Sequence, residues 1–343
     1  MANIKEVAKK AGVSVATISR VLNHPETVAP ARKAHVEKIM KEMNYKPNAF
    51  ARGLNLNRSR TIGLLIPGLT NPLYPEIAEG VEKVAREKGY SVFLCNTEGS
   101  LEKETEHVSL LMEKRVDGLI LVASELSDKK LLKMKQDKIQ MVHLGRNRSG
   151  LGIPTVYTDY KMGGYIATKH LLDIGYRRIA MIQGKKDHPV DDEKIEGYKN
   201  ALKEYGVTPN LDLILIGGED ITGGSIATNK LLSKEEMPQA IFAGNDLMAI
   251  GAMEALKRKG ISIPHKVAVM GFDDIKPTAY VEPKLTTVSQ PVHKMGLMAA
   301  RLLFENLQDG RKTEEAQPEI YLQPKLKIRR SCGQDDRLQE IFN

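Results

Sequence analysis

The sequence predicts an α/β protein in two parts, a small helical headpiece followed by a body of parallel sheets flanked by helices. Three observations carry that expectation. Gly12 separates two short amphipathic runs near the start. From Thr61 onward, short apolar runs alternate with helical patterns, as parallel sheets covered by helices require. Finally, the net charge of +8 on the 343-residue chain is confined to residues 1–60, which hold twelve Lys and Arg against four acids. The rest of the chain is balanced.

The length exceeds what one core organises, so two or three domains are expected. Hydrophobic content of 41% and charged content of 27% are those of a soluble globular protein. No apolar run approaches the roughly 20 residues that span a bilayer. The start, MANIKEVAKKAG, lacks the apolar core of a signal peptide, so a cytoplasmic location is expected. Cys95 lies in the apolar run SVFLCN and reads as core, whereas Cys332 lies near a charged tail. Neither has metal-ligand spacing. A positive excess this local is an electrostatic footprint for a polyanion, although charge alone also fits a solvated basic face.

In the first sixty residues, Ile4, Val7, Ala8 and Ala11 recur at helical spacing. Gly12 breaks that helix, because glycine tolerates the positive φ of a tight turn. Ser14 is a suitable N-cap for a second helix over Val15 to Leu22. Its buried side is expected to be Ile18, Val21 and Leu22, leaving Val15, Ala16, Thr17, Ser19 and Arg20 outside. A third helix follows Pro30 and carries Val36, Ile39, Met40 and Met43 on one face. This pattern reads as a helix-turn-helix, with a plain three-helix packing module as the alternative. On the first reading, Val15 and Ala16 suit a thymine methyl, Thr17 brings a hydroxyl, and Arg20 can fork onto guanine or a phosphate. Ser14 and Asn23 suit phosphate oxygens.

At this point the residues resemble a known family. IKEVAKKAGVSVATISRVLN, followed by NYKPNAFARGL, is similar to the lactose-repressor/galactose-repressor family of bacterial transcription regulators. The similarity runs from residue 2 to about residue 331. It implies a second helix lying in the major groove, with Tyr45, Asn48, Ala51, Arg52 and Leu54 as further DNA-binding candidates. The resemblance also implies that Asn48–Asn57 forms a hinge helix only on DNA, with Leu54 wedged into the minor groove. The segment's own chemistry agrees. It is too short and polar for a stable isolated helix, and Gly53 and its asparagines lower helix propensity further.

The body shows apolar runs at 61–67, 91–97, 118–124, 141–145, 179–184, 213–218, 240–245 and 267–274. Helical patterns such as PEIAEGVEKVAREKG and DLMAIGAMEALKRKG separate them. Two similar subdomains fit better than one large sheet. LTTVSQP, a helix from Val292, and EIYLQPKLKIR come after both. The resemblance implies a type I periplasmic-binding-protein-like core, crossed three times by the chain. The expected organisation is a DNA-binding domain over 1–47, a hinge over 48–60, a core over 61–330 and a tail over 331–343. Within the core, the N-subdomain takes about 61–160 with 291–320, and the C-subdomain about 161–290 with 321–330.

Ligands of such folds bind beyond the carboxyl ends of the strands. Polar groups fall there at Asn71, Arg146, Asp159, Asn245 with Asp246, and Asp273 with Asp274. The resemblance points to Leu73, Arg146, Asn245 and Asp273 as effector contacts, with Asn71 and Tyr74 as neighbours. Asp246 is expected to cap the following helix. These groups suit a polyhydroxylated ligand, with a sugar or sugar derivative as the effector. DDEKIEGYKNAL matches a family pattern that usually carries arginine where Lys194 stands. Lysine cannot copy a bidentate grip, which widens the candidates to an unusual, phosphorylated or acidic sugar, or a protein partner.

No catalytic motif is present. GGEDITGGS reads as a surface turn, and Asp191, Asp192 and Glu193 read as a solvated helix start. No metal, cofactor or membrane is expected. The function implied is a homodimeric regulator, a repressor, that binds a pseudo-palindromic operator under control of a small effector. Two alternatives stand beside it. One is the same regulator controlled by a phosphocarrier protein docking near residues 75–89 or 292–307. The other is a sugar-binding sensor without specific DNA binding. The tail, 333–343, is too short for a tetramer seam, so a dimer is expected.

Overall fold

A computed structural model describes residues 3–23, 25–45, 58–148, 150–309 and 318–333. The chain forms two compact units, residues 1–61 with 113–117, and residues 62–112 with 118–343.

The first unit contains α1 (Ile4–Lys10), α2 (Val15–Asn23) and α3 (Pro30–Glu42). Asn3 and Glu6 form a reciprocal capping box at the start of α1. Asn3 Oδ1 accepts from the Glu6 N–H at 3.0 Å, and Glu6 Oε2 accepts from the Asn3 N–H at 3.0 Å. Gly12 ends the turn at φ +61, while the Val13 N–H reaches back to the Ala8 carbonyl at 3.0 Å. That is the left-handed C-terminal cap expected of glycine. Val7, Ala8, Ile18, Val21, Val36 and Met40 make the core, with Leu22 half-buried against it.

The second unit holds two six-stranded sheets. The first runs β11-β5-β4-β3-β1-β2, using β1 (Thr61–Ile66), β2 (Ser91–Asn96), β3 (Gly118–Val122), β4 (Met141–Gly145), β5 (Thr155–Thr158) and β11 (Glu319–Leu322). The second runs β12-β10-β9-β8-β6-β7, using β6 (Ile179–Gln183), β7 (Ile214–Ile216), β8 (Ala240–Ala243), β9 (Ala268–Asp273), β10 (Thr286–Ser289) and β12 (Lys325–Lys327). β12 pairs antiparallel with β10, whereas β7, β6, β8, β9 and β10 run parallel to one another. The stretch EIYLQPKLKIR is split between the sheets. Pro324, which has no N–H for a ladder, stands where the chain leaves one sheet for the other.

Three helix pairs flank these sheets, and each crosses at a reciprocal pair of glycines. α4 (Leu73–Glu87) meets α11 (Val292–Asp309) at Gly80 and Gly296. α7 (Tyr160–Asp173) meets α8 (Pro189–Glu204) at Gly164 and Gly197, and α9 (Ile221–Leu232) meets α10 (Asp246–Arg258) at Gly224 and Gly251. A Cβ at any of the six would run into backbone of the facing helix. Close backbone approach is what brings these helices down onto the sheets.

Two further helices complete the first lobe, α5 (Leu101–Glu113) and α6 (Asp128–Gln136). Among the described residues, no helix is long and apolar enough to cross a membrane. The cysteines depart from expectation. Cys95 is only half-buried, because β2 is a sheet edge whose residues are largely exposed. Cys332 is fully buried, and burial pushes its thiol up to about 12.

Candidate functional site

The headpiece presents one face of α2. Ile18 is 0% exposed and Val21 5%, which fixes the roll of the helix. Val15, Ala16 and Arg20 are consequently exposed and Thr17 half-exposed. Ser14 Oγ accepts from the Thr17 N–H at 3.1 Å and lies 2.9 Å from the Thr17 hydroxyl. Both hydroxyls therefore help to hold the helix start. Tyr45 packs against the three-helix core, with its backbone N–H bonded to the Met40 carbonyl at 2.9 Å. The side chain of Asn23, and all of Asn48, Ala51, Arg52 and Leu54, lie outside the described residues.

The second unit holds a cavity of about 400 Å³ between its sheets. Pro67 and Gly68 after β1, Glu125 after β3, and Gly145 border it on one side. Gly184 after β6, Asn245 after β8, and Asp273 at the end of β9 border the other. These are carboxyl ends of parallel strands, where helix N-termini converge and loops are free to carry ligand groups. Asn71, Leu73, Tyr74, Lys194, Asn245 and Asp273 all line the cavity. Arg146 does not, although its neighbours Leu144 and Gly145 do.

Lys194 is 6% exposed, and its Nζ donates to the Gly244 carbonyl at 2.7 Å. The ammonium sits 4.5 Å from the Phe272 ring centre and 5.4 Å from that of Tyr160. It is thus held by one carbonyl and two aromatic faces. Asp273 accepts from Gln290 Nε2 at 2.7 Å through Oδ1. Its φ of +114 is a conformation L residues rarely adopt, so the surroundings hold it there. Burial drives the Asp273 carboxyl up to about 6, with Asp191 adding to the rise and Lys194 and Gln290 opposing it.

That shift has a definite stability consequence. Between the ordinary carboxylate value of 3.8 and about 6, the folded chain holds a proton that the unfolded chain has released. Stability is then present at the acid end of this window and lost as pH rises through it. Urea unfolding of Asp273→Asn is expected to show a flatter pH dependence between pH 4 and 6 than the parent chain.

Several expectations need correction. Asp246 does not cap α10. Asn245 does, its Oδ1 accepting from the Met248 N–H at 2.8 Å. Asp246 is fully buried, accepting from Thr287 Oγ1 at 2.6 Å and from the Ile275 N–H at 2.9 Å. Burial, with Asp273 nearby, raises its carboxyl well above the usual range. Asp191 is not part of a solvated helix start. It is 6% exposed and accepts from the Gly184 N–H at 3.1 Å and the Lys185 N–H at 3.0 Å. GGEDITGGS is not a plain surface turn either. Asp220 caps α9 through the Gly223 N–H at 2.7 Å, and both Glu219 and Asp220 border the cavity.

Glu125, Lys185 and His188 also line the cavity, and sequence reasoning did not single them out as ligand contacts. Glu125 stands 3.9 Å from Lys185 Nζ and 3.6 Å from His188 Nε2, so these contacts bridge the cleft. A buried network fixes the Glu125 loop from beneath. Arg148 donates to the carbonyls of Ser124 at 2.7 Å and Leu126 at 2.8 Å, while Glu104 Oε2 accepts from the Glu125 N–H at 2.8 Å. Arg148→Met is expected to cost about 3 kcal/mol, because the two carbonyls lose a buried donor and Asp128 loses its ion pair at 3.3 Å. Denaturant unfolding measures it.

Comparison with known proteins matches both units. Residues 3–48 match "Bacterial regulatory proteins, lacI family", and residues 59–327 match "Periplasmic binding proteins and sugar binding domain of LacI family". The HTH-type transcriptional repressor PurR of Aliivibrio fischeri (strain MJ11) is 38% identical over 326 residues, 93% of this chain and 97% of that protein. A structure described as a transcriptional regulator CelR–cellobiose complex shares 30% identity at a TM-score of 0.71, covering 96% of this chain and all 100% of that one. The lac repressor dimer bound to operator and the anti-inducer ONPF shares 25% identity at a TM-score of 0.86, covering 96% of this chain and 99% of the other.

Proposed function

Because the chain belongs to the LacI family of bacterial DNA-binding regulators, we propose that it is a homodimeric, operator-specific repressor whose DNA affinity is set by a small carbohydrate-like effector in the cleft. It works as a binding protein rather than an enzyme. The observation that carries this reading is the exposed face of α2. Val15, Ala16 and Arg20 stand clear of a helix that buries Ile18 and Val21, in the segment that holds all the excess positive charge.

On this reading Val15 and Ala16 contact base edges, Arg20 reads guanine or grips a phosphate, and Ser14, Thr17 and Asn23 hold the backbone. Tyr45, Asn48, Ala51, Arg52 and Leu54 extend the contact. Asn71, Leu73, Tyr74, Lys194, Asn245 and Asp273 form the effector wall. Ligand acts by favouring one arrangement of the core, and a differential affinity of 1–3 kcal/mol would suffice.

Exposed edges of both sheets support the dimer. β2 shows Phe93 at 42% and Leu94 at 47% exposure, and β7 shows Ile216 at 50%. α5 and α9 add Leu110 at 44% and Ile226 at 52%. Apolar edges of this kind, unpaired among the described residues, invite a partner, and a second copy is the simplest one. A Leu94→Asp/Ile226→Asp chain is expected to sediment as a monomer and to bind operator at least tenfold more weakly.

Selection of bound duplexes from a random pool tests the functional reading. The expected result is one enriched motif with two-fold symmetry. A folded chain that enriches no sequence would overturn operator specificity.

A further inference from the structure

The cavity has a buried end and an open rim, and exposure tells them apart. Lys194, Asp273 and Gln290 line it and are all buried. Gln290 stands between β10 of the second sheet and α11, which packs on the core of the first. The chain therefore crosses between the two lobes at the buried end. Glu125, Lys185 and His188 line the same cavity, yet their side chains are between 21% and 40% exposed. They stand at the rim, away from that crossing.

At the rim, loops from different lobes meet. Glu125 follows β3 of the first sheet, whereas Lys185 and His188 follow β6 of the second. Glu125 Oε1 lies 3.9 Å from Lys185 Nζ and 3.6 Å from His188 Nε2. Gly99, after β2 in the first lobe, closes on the same lysine, since a Cβ there would come within 2.9 Å of Nζ. Each loop is held in advance. Arg148 grips the carbonyls on either side of Glu125, and Glu104 accepts from the Glu125 N–H. Across the rim, Asp191 accepts from the Gly184 and Lys185 N–H groups and lies 3.6 Å from His188 Nδ1. Loops fixed in this way lose little freedom when their charges meet.

We propose that Glu125, Lys185 and His188 form a latch across the open rim, which biases the core toward its closed arrangement. Rotation about the buried crossing moves the rim furthest, so contacts placed there resist opening with the longest lever. A partly exposed ion pair shifts such an equilibrium by about two- to fivefold. Lys185 has a second partner, Glu219 at 3.4 Å, but Glu219 follows β7 of the same lobe and spans nothing. It competes with Glu125 for one ammonium. On the reading that the arrangement of the core sets operator affinity, the latch also tunes DNA binding.

Spin-label distances in the full chain test it. Labels at Lys129→Cys on α6 and Lys203→Cys on α8, both exposed, report lobe separation in a Cys95→Ser background. Labelled chain is diluted with an excess of unlabelled chain, so that each distance lies within one protomer. Glu125→Gln and Lys185→Met are each expected to raise the share of longer distances by about two- to fivefold. The double variant should match Glu125→Gln alone, because that change already removes both contacts. Glu219→Gln takes a charge from the same lysine without crossing the rim, and should add no longer distances. Unchanged distances in Glu125→Gln, or equal widening in Glu219→Gln, overturn the latch. Operator titrations of the same variants separate the two readings. Longer distances with a common shift in operator affinity support both, whereas longer distances at unchanged affinity leave the latch standing and overturn control of DNA binding by the core.

Discussion

Gly197→Val is expected to lower the thermal midpoint by roughly 5–10 °C or to prevent folding. A Cβ at this position would overlap the Lys161 carbonyl oxygen and crowd the Tyr165 N–H, both on the backbone of α7. Backbone of a packed helix cannot move aside as a side-chain tip can, so α8 must lift from α7. That separation exposes part of the core formed by Tyr160, Ala167, Leu171, Tyr198, Ala201 and Leu202. Overpacking of this kind costs about 3 kcal/mol or more. The reciprocal site gives an internal check, since a Cβ at Gly164 would strike the backbone of Lys194. Gly164→Val should therefore be as damaging and should also disturb the Lys194 ammonium in the cleft. Gly68→Ala, with open space around the new methyl, is expected to be neutral or slightly stabilising. Differential scanning calorimetry of the three variants separates close approach from a general intolerance of glycine replacement.

Arg20→Ala is expected to weaken binding to the selected operator by about 10- to 100-fold, the usual worth of a bidentate base contact. The side chain is exposed and α2 is held by Ile18 and Val21, so the thermal midpoint should stay unchanged. Affinity for a scrambled duplex should fall much less, because phosphate contacts remain. Ile18→Ala gives the opposite signature. Removing a fully buried core residue costs about 2–4 kcal/mol, and binding to both duplexes then falls together with headpiece stability. Anisotropy titrations with the two duplexes and thermal melts of each variant distinguish reading from folding.

Some of this was legible in the sequence for simple reasons. Helical spacing fixed which side of α2 is buried, because Ile18 and Val21 are one turn apart and Val15, Ala16 and Arg20 face elsewhere. Gly12 announced its positive φ. Apolar runs marked the central strands, since parallel strands buried on both faces read as continuous hydrophobic stretches. The cleft was legible only as a set of strand ends. Asn245 and Asp246 are adjacent, and either could cap a helix on local grounds. What decides is remote, since the Ile275 N–H and the Thr287 hydroxyl capture the Asp246 carboxylate. Asp191 shows the same limit. DDEK looks like a solvated acidic helix start, yet the Gly184 and Lys185 N–H groups fold back onto the carboxylate and bury it. Glu125 carried no local signal, because its place depends on Glu104 and Arg148 lying beneath its loop. Cys95 misled for a converse reason. An apolar run at a sheet edge is indistinguishable from a central strand until its neighbours are known.

The central claim is sequence-specific DNA binding by a basic headpiece. Titration of the full chain against the enriched operator and a scrambled duplex, at sodium chloride from 50 to 200 mM, tests it most directly. The account predicts affinity for both duplexes falling steeply and linearly in log–log form, as several counterions are released per headpiece. It also predicts a tenfold or greater preference for the operator at every salt concentration, reduced by Arg20→Ala. Equal affinity for the two duplexes, unchanged by Arg20→Ala, would contradict it.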